Sequence, residues 1–77
     1  MHDIIKKKTI EIIAKTARID SSLITESSNQ NDFAKWDSLA HLTIMMKIEK
    51  QFKKKISTSK MSELNSIKKI LNFLETK

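Results

Sequence analysis

The sequence predicts an all-α fold: a small bundle of three main helices and one short helix, with a long loop between helix 1 and helix 2. Three observations support this. The 77-residue chain contains no glycine or proline, which disfavours tight hairpins and leaves positive-φ turns to Asn, Asp or Ser. Apolar residues recur at three- and four-residue steps in separate segments. The chain has no cysteine, so packing must stabilise the fold without disulfides or a thiolate metal site.

The first helix is predicted from residue 3 to about residue 17. Asp3 lies where a carboxylate caps the first turn and complements the helix dipole. Lysines fill the positions between its apolar residues. Those apolar positions are Ile5, Ile12, Ile13 and Ala17, with Thr9 at one further step.

Residues 20–37 are rich in Ser, Asn and Asp, a composition typical of loops. Long loops without structure are uncommon in compact domains. We therefore expect either a short helical turn at residues 22–24 or a functional loop. Leu23, Ile24 and Phe33 are the residues expected to hold the loop against the core.

The second helix is predicted to begin at Asp37 or Ser38, either of which can act as its N-cap. Its apolar residues form two groups on different sides of the helix. The first is the expected core face, formed by Ile44, Met45, Ile48 and Phe52. The second is formed by Leu39, Leu42 and Met46. Since one small core needs only one face, the second group is available to a partner protein or to a cargo chain.

Two further helices complete the prediction. A short one is expected around residues 60–62, because serine and threonine at positions 57–59 can cap it. A last one is expected after Asn65 or Ser66. Its inward positions are Ile67, Ile70, Leu71, Phe73 and Leu74.

The formal net charge of +6 is distributed unevenly. Residues 1–19 carry +3, residues 20–37 carry −3 and residues 38–77 carry +6. An acidic loop therefore precedes Ser38, and a basic segment follows it. Such a balance is compatible with nucleic acid, an anionic membrane or an acidic protein as partner, and charge alone does not choose among them.

The order of these features resembles that of the acyl carrier proteins across nearly the whole chain, residues 1–77, taken as a single carrier domain. The residues that carry the resemblance are Trp36-Asp37-Ser38-Leu39-Ala40-His41-Leu42, then Ile48-Glu49-x-x-Phe52, then Ile56. Asp-Ser-Leu alone is a weak signal, because Asp and Ser are common helix caps. The Ile-Glu-x-x-Phe segment and the matching length make the resemblance specific.

The resemblance implies a carrier that is not an enzyme, with 4'-phosphopantetheine from coenzyme A attached to Ser38 and acyl or aminoacyl groups held on it as thioesters. Asp37 would engage the phosphopantetheinyl transferase. The exposed group Leu39, Leu42 and Met46 would dock the acyl-loading and acyl-transferring enzymes. The expected protein is a cytoplasmic monomer without a membrane span, since no apolar stretch approaches about 20 residues.

Structural explanations compete with these roles. Asp37 or Ser38 serves equally well as a helix cap, and Trp36 is expected to pack. His41 lies one turn beyond Ser38, but no acid is spaced to complete a catalytic triad, and two histidines make a poor metal site. Two alternatives therefore stay open: a small basic nucleic-acid-binding protein, disfavoured by the single arginine, and a protein-interaction module with Ser38 only a cap.

The basic second helix departs from the acidic surface typical of carriers in fatty acid synthesis. Glu49 stands among Lys47, Lys50 and the lysines at 53–55. Because electrostatic complementarity controls encounter rate and partner choice, we expect a specialised pathway, such as modification of a polysaccharide or a secondary metabolite. An AT-rich genome is another explanation for the lysines. The acidic loop before Ser38 is a further source of the negative surface that the partner enzymes of such carriers expect, which would make the departure smaller.

Overall fold

Four α-helices make up the fold in the computed structural model, which describes residues 2–75. They are α1 (His2–Ala17), α2 (Ser38–Phe52), α3 (Thr58–Glu63) and α4 (Ile67–Glu75). The loop between α1 and α2 contains two 3₁₀ turns, Ser21–Leu23 and Gln30–Asp32. α1 packs against both α2 and α4. The predicted three main helices, one short helix and long loop are confirmed.

The core is formed mainly by the apolar stripes that the sequence predicted, except that Ile5 and Ile12 of α1 are only partly buried and pack against it. On α2, Ile44, Met45 and Ile48 have no exposed surface. The other buried apolar residues are Ile13, Ala17, Ile24, Trp36, Ile56, Leu64, Ile67, Ile70 and Leu71, while Phe52, Phe73 and Leu74 pack at its edge. Burying each large aliphatic side chain contributes about 1.5–3 kcal/mol, so packing supplies the stability that cross-links do not.

Thr9 is a polar exception inside this core. Its side chain is fully buried where α1 faces its neighbours. The Oγ1 atom has no hydrogen-bond partner among the described residues. A buried hydroxyl without a partner costs free energy that an apolar side chain of similar size does not.

The long loop is ordered by backbone and side-chain hydrogen bonds. Its middle is joined to the start of α4, where the amide of Gln30 donates to the Asn65 carbonyl at 2.8 Å and the amide of Ile67 donates to Ser28 at 3.0 Å. Ile24 is buried and Phe33 packs against the core, as predicted. Leu23 was predicted to do the same, but it is 62% exposed because the 3₁₀ turn directs it to solvent.

The positive-φ positions were predicted wrongly. They were expected at Asn, Asp or Ser, whereas they fall on Arg18 (φ 58°) and Lys53 (φ 52°). Both residues directly follow the last residue of an α-helix, α1 and α2 respectively. A cation there interacts favourably with the negative end of the helix dipole, which offsets part of the cost of the left-handed conformation in a chain without glycine.

Candidate functional site

Ser38 is the first residue of α2 and is exposed to solvent. The cap of the helix is Asp37, whose Oδ1 accepts the Ala40 amide at 2.8 Å and whose carbonyl accepts the His41 amide at 2.8 Å. Within residues 2–75, no hydrogen-bond partner is present for the Ser38 hydroxyl. The capping role left open between Asp37 and Ser38 therefore belongs to Asp37, and the serine oxygen is available for chemistry.

Trp36 and His41 form a buried pair beside this helix start. Trp36 is 1% exposed and His41 is 7% exposed. The indole Nε1 donates to His41 Nδ1 at 3.0 Å, and His41 Nε2 lies 2.7 Å from the Met61 carbonyl oxygen. Since an indole N–H can only donate, Nδ1 is the acceptor and the imidazole proton lies on Nε2, from which it is donated to Met61.

Both ring nitrogens of His41 are thus occupied by structural hydrogen bonds. These hydrogen bonds join Trp36, two residues before Ser38, to α2 and, through the Met61 carbonyl, to α3. The predicted packing of Trp36 is confirmed. The bond from Trp36 to His41 was not predicted, and its only signal in the sequence was their five-residue spacing across a helix start.

The second apolar group of α2 is exposed, as predicted. Leu39 is 76%, Leu42 48% and Met46 57% exposed. Because they lie at three- and four-residue steps from one another, they form one stripe that starts beside Ser38 and runs along the solvent side of α2. We call this the apolar stripe.

Cations line the surface on the α1 side of Ser38. Lys15, Arg18, Lys35 and Lys47 border a shallow groove in which Asp37 is the acid. Lys47 Nζ donates to Thr16 Oγ1 at 3.0 Å, so α2 is joined to the end of α1 at this point. We call these four side chains the basic groove.

Three carboxylates of α2 and of the preceding loop accept backbone amides. Glu49 Oε2 accepts the Ile56 amide at 2.9 Å and so fixes the loop that leaves α2. In the preceding loop, Asp32 accepts the Asn29 amide and Asp20 accepts the Ser22 amide. The hydrogen bond from the Ser22 amide, followed by the one from its hydroxyl, lowers the pKa of Asp20 from its usual 3.8.

No group of three or more His, Cys, Asp or Glu side chains suited to a metal ion occurs within residues 2–75. None of the described helices is long and apolar enough to cross a membrane.

Comparison with known proteins gives one family. The sequence profile of the family described as phosphopantetheine attachment site matches residues 7–74, most of the chain. The matched stretch begins in the second turn of α1, ends within the last turn of α4 and includes Ser38. A comparison with curated proteins found no match.

Proposed function

We propose, from the premise that this chain belongs to the family of phosphopantetheine attachment-site domains, that Ser38 is its attachment residue. The cofactor of this family is 4'-phosphopantetheine, and its domains are carriers without catalytic activity of their own. The bound arm supplies a terminal thiol on which acyl or aminoacyl groups are held as thioesters. Residues 1–77 then act as one carrier domain that delivers such groups to separate enzymes.

The observation that carries this proposal is the combination of an exposed, unpartnered Ser38 hydroxyl with a helix start. Asp37 caps α2 through Ala40 and His41, which leaves the amides of Ser38 and Leu39 without an acceptor among residues 2–75. Free amides and the positive end of the helix dipole favour an anion at this position. A phosphodiester on Ser38 Oγ therefore fits the charge and hydrogen-bonding capacity of the site.

In the attachment reaction, Ser38 Oγ forms the new oxygen–phosphorus bond. The hydroxyl loses its proton, and the bond from that phosphorus to the nucleotide part of coenzyme A breaks, so 3',5'-ADP leaves. His41 does not take the proton, because its Nδ1 already accepts from Trp36 and its Nε2–H is donated to Met61. The base and the magnesium ion belong to the phosphopantetheinyl transferase.

We assign Asp37 two roles, helix cap and contact for the transferase. Its backbone and one carboxylate oxygen are occupied by the cap, while the side chain remains exposed next to Ser38. The apolar stripe, Leu39, Leu42 and Met46, is the docking surface for the enzymes that load and unload the arm. The basic surface around it supports a specialised pathway, since an enzyme that suits an acidic carrier would be repelled here.

The test of the attachment residue is incubation with coenzyme A, magnesium and a broad-specificity phosphopantetheinyl transferase, followed by intact mass measurement. We expect the mass to rise by one phosphopantetheinyl group. Ser38→Ala should abolish the gain, whereas Ser59→Ala, at another exposed serine in a first helical turn, should leave it intact. An unmodified wild-type chain, or modification of Ser38→Ala, contradicts the proposal.

The two roles of Asp37 separate in a pair of variants. Asp37→Asn keeps a good N-cap and removes the charge, while Asp37→Ala removes both and costs about 1 kcal/mol of stability. We expect the modification rate of Asp37→Asn to fall with its stability retained. Equal rates for wild type and Asp37→Asn would restrict Asp37 to capping.

A further inference from the structure

We propose that the enzyme surface that docks on the apolar stripe of this carrier is acidic. The inference rests on the proposed function, because it specifies the partner of the same site. It goes further by naming the chemistry that the partner must present.

Cations follow the apolar stripe along α2. Lys50 lies four residues after Met46 and eleven after Leu39, so it continues the same side of the helix toward its end. Lys47 lies at the edge of this side, and Lys53 directly follows the last residue of α2. All three are exposed, and no carboxylate among the described residues lies within ion-pair distance of them.

The basic groove adds cations on the α1 side of Ser38. One of them is held in place, since Lys47 Nζ donates to Thr16 Oγ1 at 3.0 Å, while Lys35 Nζ lies 3.5 Å from the Arg18 carbonyl oxygen. Holding a lysine before binding lowers the entropy that is lost when it meets a carboxylate. An enzyme whose active-site entrance meets Ser38 therefore faces positive charge both along α2 and beside the end of α1.

The carboxylates close to these lysines in the sequence do not make the surface of α2 negative. The single acid of α2, Glu49, is half-buried and accepts the Ile56 amide instead of facing a partner. Asp37 is committed in part to the cap of α2. The surface of α2 that follows the serine is thus apolar at its centre and basic at its margin, with Asp37 beside the attachment point. In the acidic loop that precedes it, Asp20 and Asp32 each accept a backbone amide of the loop itself.

An acidic protein fits this surface better than nucleic acid or lipid. A base-stacking surface needs exposed aromatic rings, whereas Trp36 is buried and Phe33, Phe52 and Phe73 are each half-buried. The apolar stripe consists of three side chains without an aromatic one, which is little surface to insert into a bilayer. A shallow apolar patch with charged margins is the usual anatomy of a protein–protein interface.

The experiment compares two acyltransferase probes, one chosen for an acidic and one for a basic surface around its active-site entrance. The carrier is tested as the modified protein, either wild type or with Lys35→Glu, Lys47→Glu and Lys50→Glu combined. The matched control combines Lys7→Glu, Lys8→Glu and Lys68→Glu, three exposed lysines of α1 and α4 that lie outside α2 and outside the basic groove. Intact mass establishes equal arm content and circular dichroism establishes equal helicity before acyl transfer is timed at low and high salt.

We expect the triple reversal to lower kcat/KM with the acidic probe and raise it with the basic probe, each at least about tenfold at low salt and less at high salt. The control should behave as wild type. The ratio of variant to wild type within each probe cancels the difference in intrinsic rate between the two enzymes.

The inference is overturned if both ratios stay near one, or if the control variant shifts them equally. It is also overturned if wild type, but not the reversal, binds phosphatidylglycerol vesicles at physiological salt while showing no preference between the probes. A chain that never gains the arm refutes the proposed function instead, and the mass measurement separates that failure from this one.

Discussion

Removal of the His41 side chain should destabilise this protein more than any exposed substitution near Ser38. In His41→Ala, the buried Trp36 indole N–H and the Met61 carbonyl both lose their partner. An unpaired buried polar group costs about 1–3 kcal/mol. Trp36 is 1% exposed, so water cannot replace the lost acceptor, whereas the half-buried Met61 regains some hydration. We therefore expect a total loss of about 3 kcal/mol.

A loss of about 3 kcal/mol is large for a chain of 77 residues. Domains of this length have free energies of unfolding of roughly 4–12 kcal/mol. Urea unfolding followed by Trp36 fluorescence measures the loss directly, since Trp36 is the single tryptophan. His41→Gln serves as control, because its amide retains both an acceptor and a donor, and it should lose less than half as much.

A double-mutant cycle isolates the bond itself. Trp36→Phe, His41→Ala and the combined variant are compared by circular dichroism, which does not depend on the tryptophan. The coupling between the two positions should be about 1–2 kcal/mol. If His41→Ala costs less than about 1 kcal/mol, or the coupling is zero, the hydrogen-bonded pair does not contribute to the stability of the fold as argued.

Three smaller changes follow from the core, a helix end and the loop. Thr9→Val should raise the free energy of unfolding by about 1 kcal/mol, because it replaces an unpartnered buried hydroxyl; a loss of stability in urea would contradict this. Lys53→Gly should also stabilise by about 1 kcal/mol, since glycine relieves the left-handed conformation, and an unchanged thermal midpoint would count against it. The pKa of Asp20 is lowered in the folded state, so its ionised side chain stabilises the fold. This contribution to the free energy of unfolding is complete above pH 3.8 and is lost as the pH falls through the folded-state pKa. Asp20→Asn should accordingly make the free energy of unfolding in urea less dependent on pH between about pH 5 and pH 2. The same pH dependence in the variant and the wild type over this range would argue against that contribution.

The helices were predictable because their signals are local. The core stripe of α2 and the exposed group beginning at Leu39 both follow from spacing alone. Ser57 and Ser66 cap α3 and α4 where hydroxyls were expected, accepting the amides of Lys60 and Lys69.

What could not be predicted depends on tertiary neighbours. Nothing local identifies Met61 as the acceptor for His41, because the two are separated by twenty residues. The role of Glu49 as acceptor for Ile56, instead of as a recognition acid, depends on the path of the chain after α2. Arg18 and Lys53 adopt a positive φ because each follows the end of a helix in a chain without glycine. Residue preference alone places positive φ at Asn, Asp or Ser instead.

The backbone bonds between residues 28–30 and 65–67 have a consequence for the order of synthesis. The loop that leads to Ser38 is held by the segment that begins α4, which the ribosome produces almost thirty residues after the serine. When Ser38 has left the ribosome but Ile67 has not, the loop still lacks the segment to which it is hydrogen-bonded. The loop that leads to α2 therefore gains these two backbone hydrogen bonds only once the segment that begins the last helix has been made.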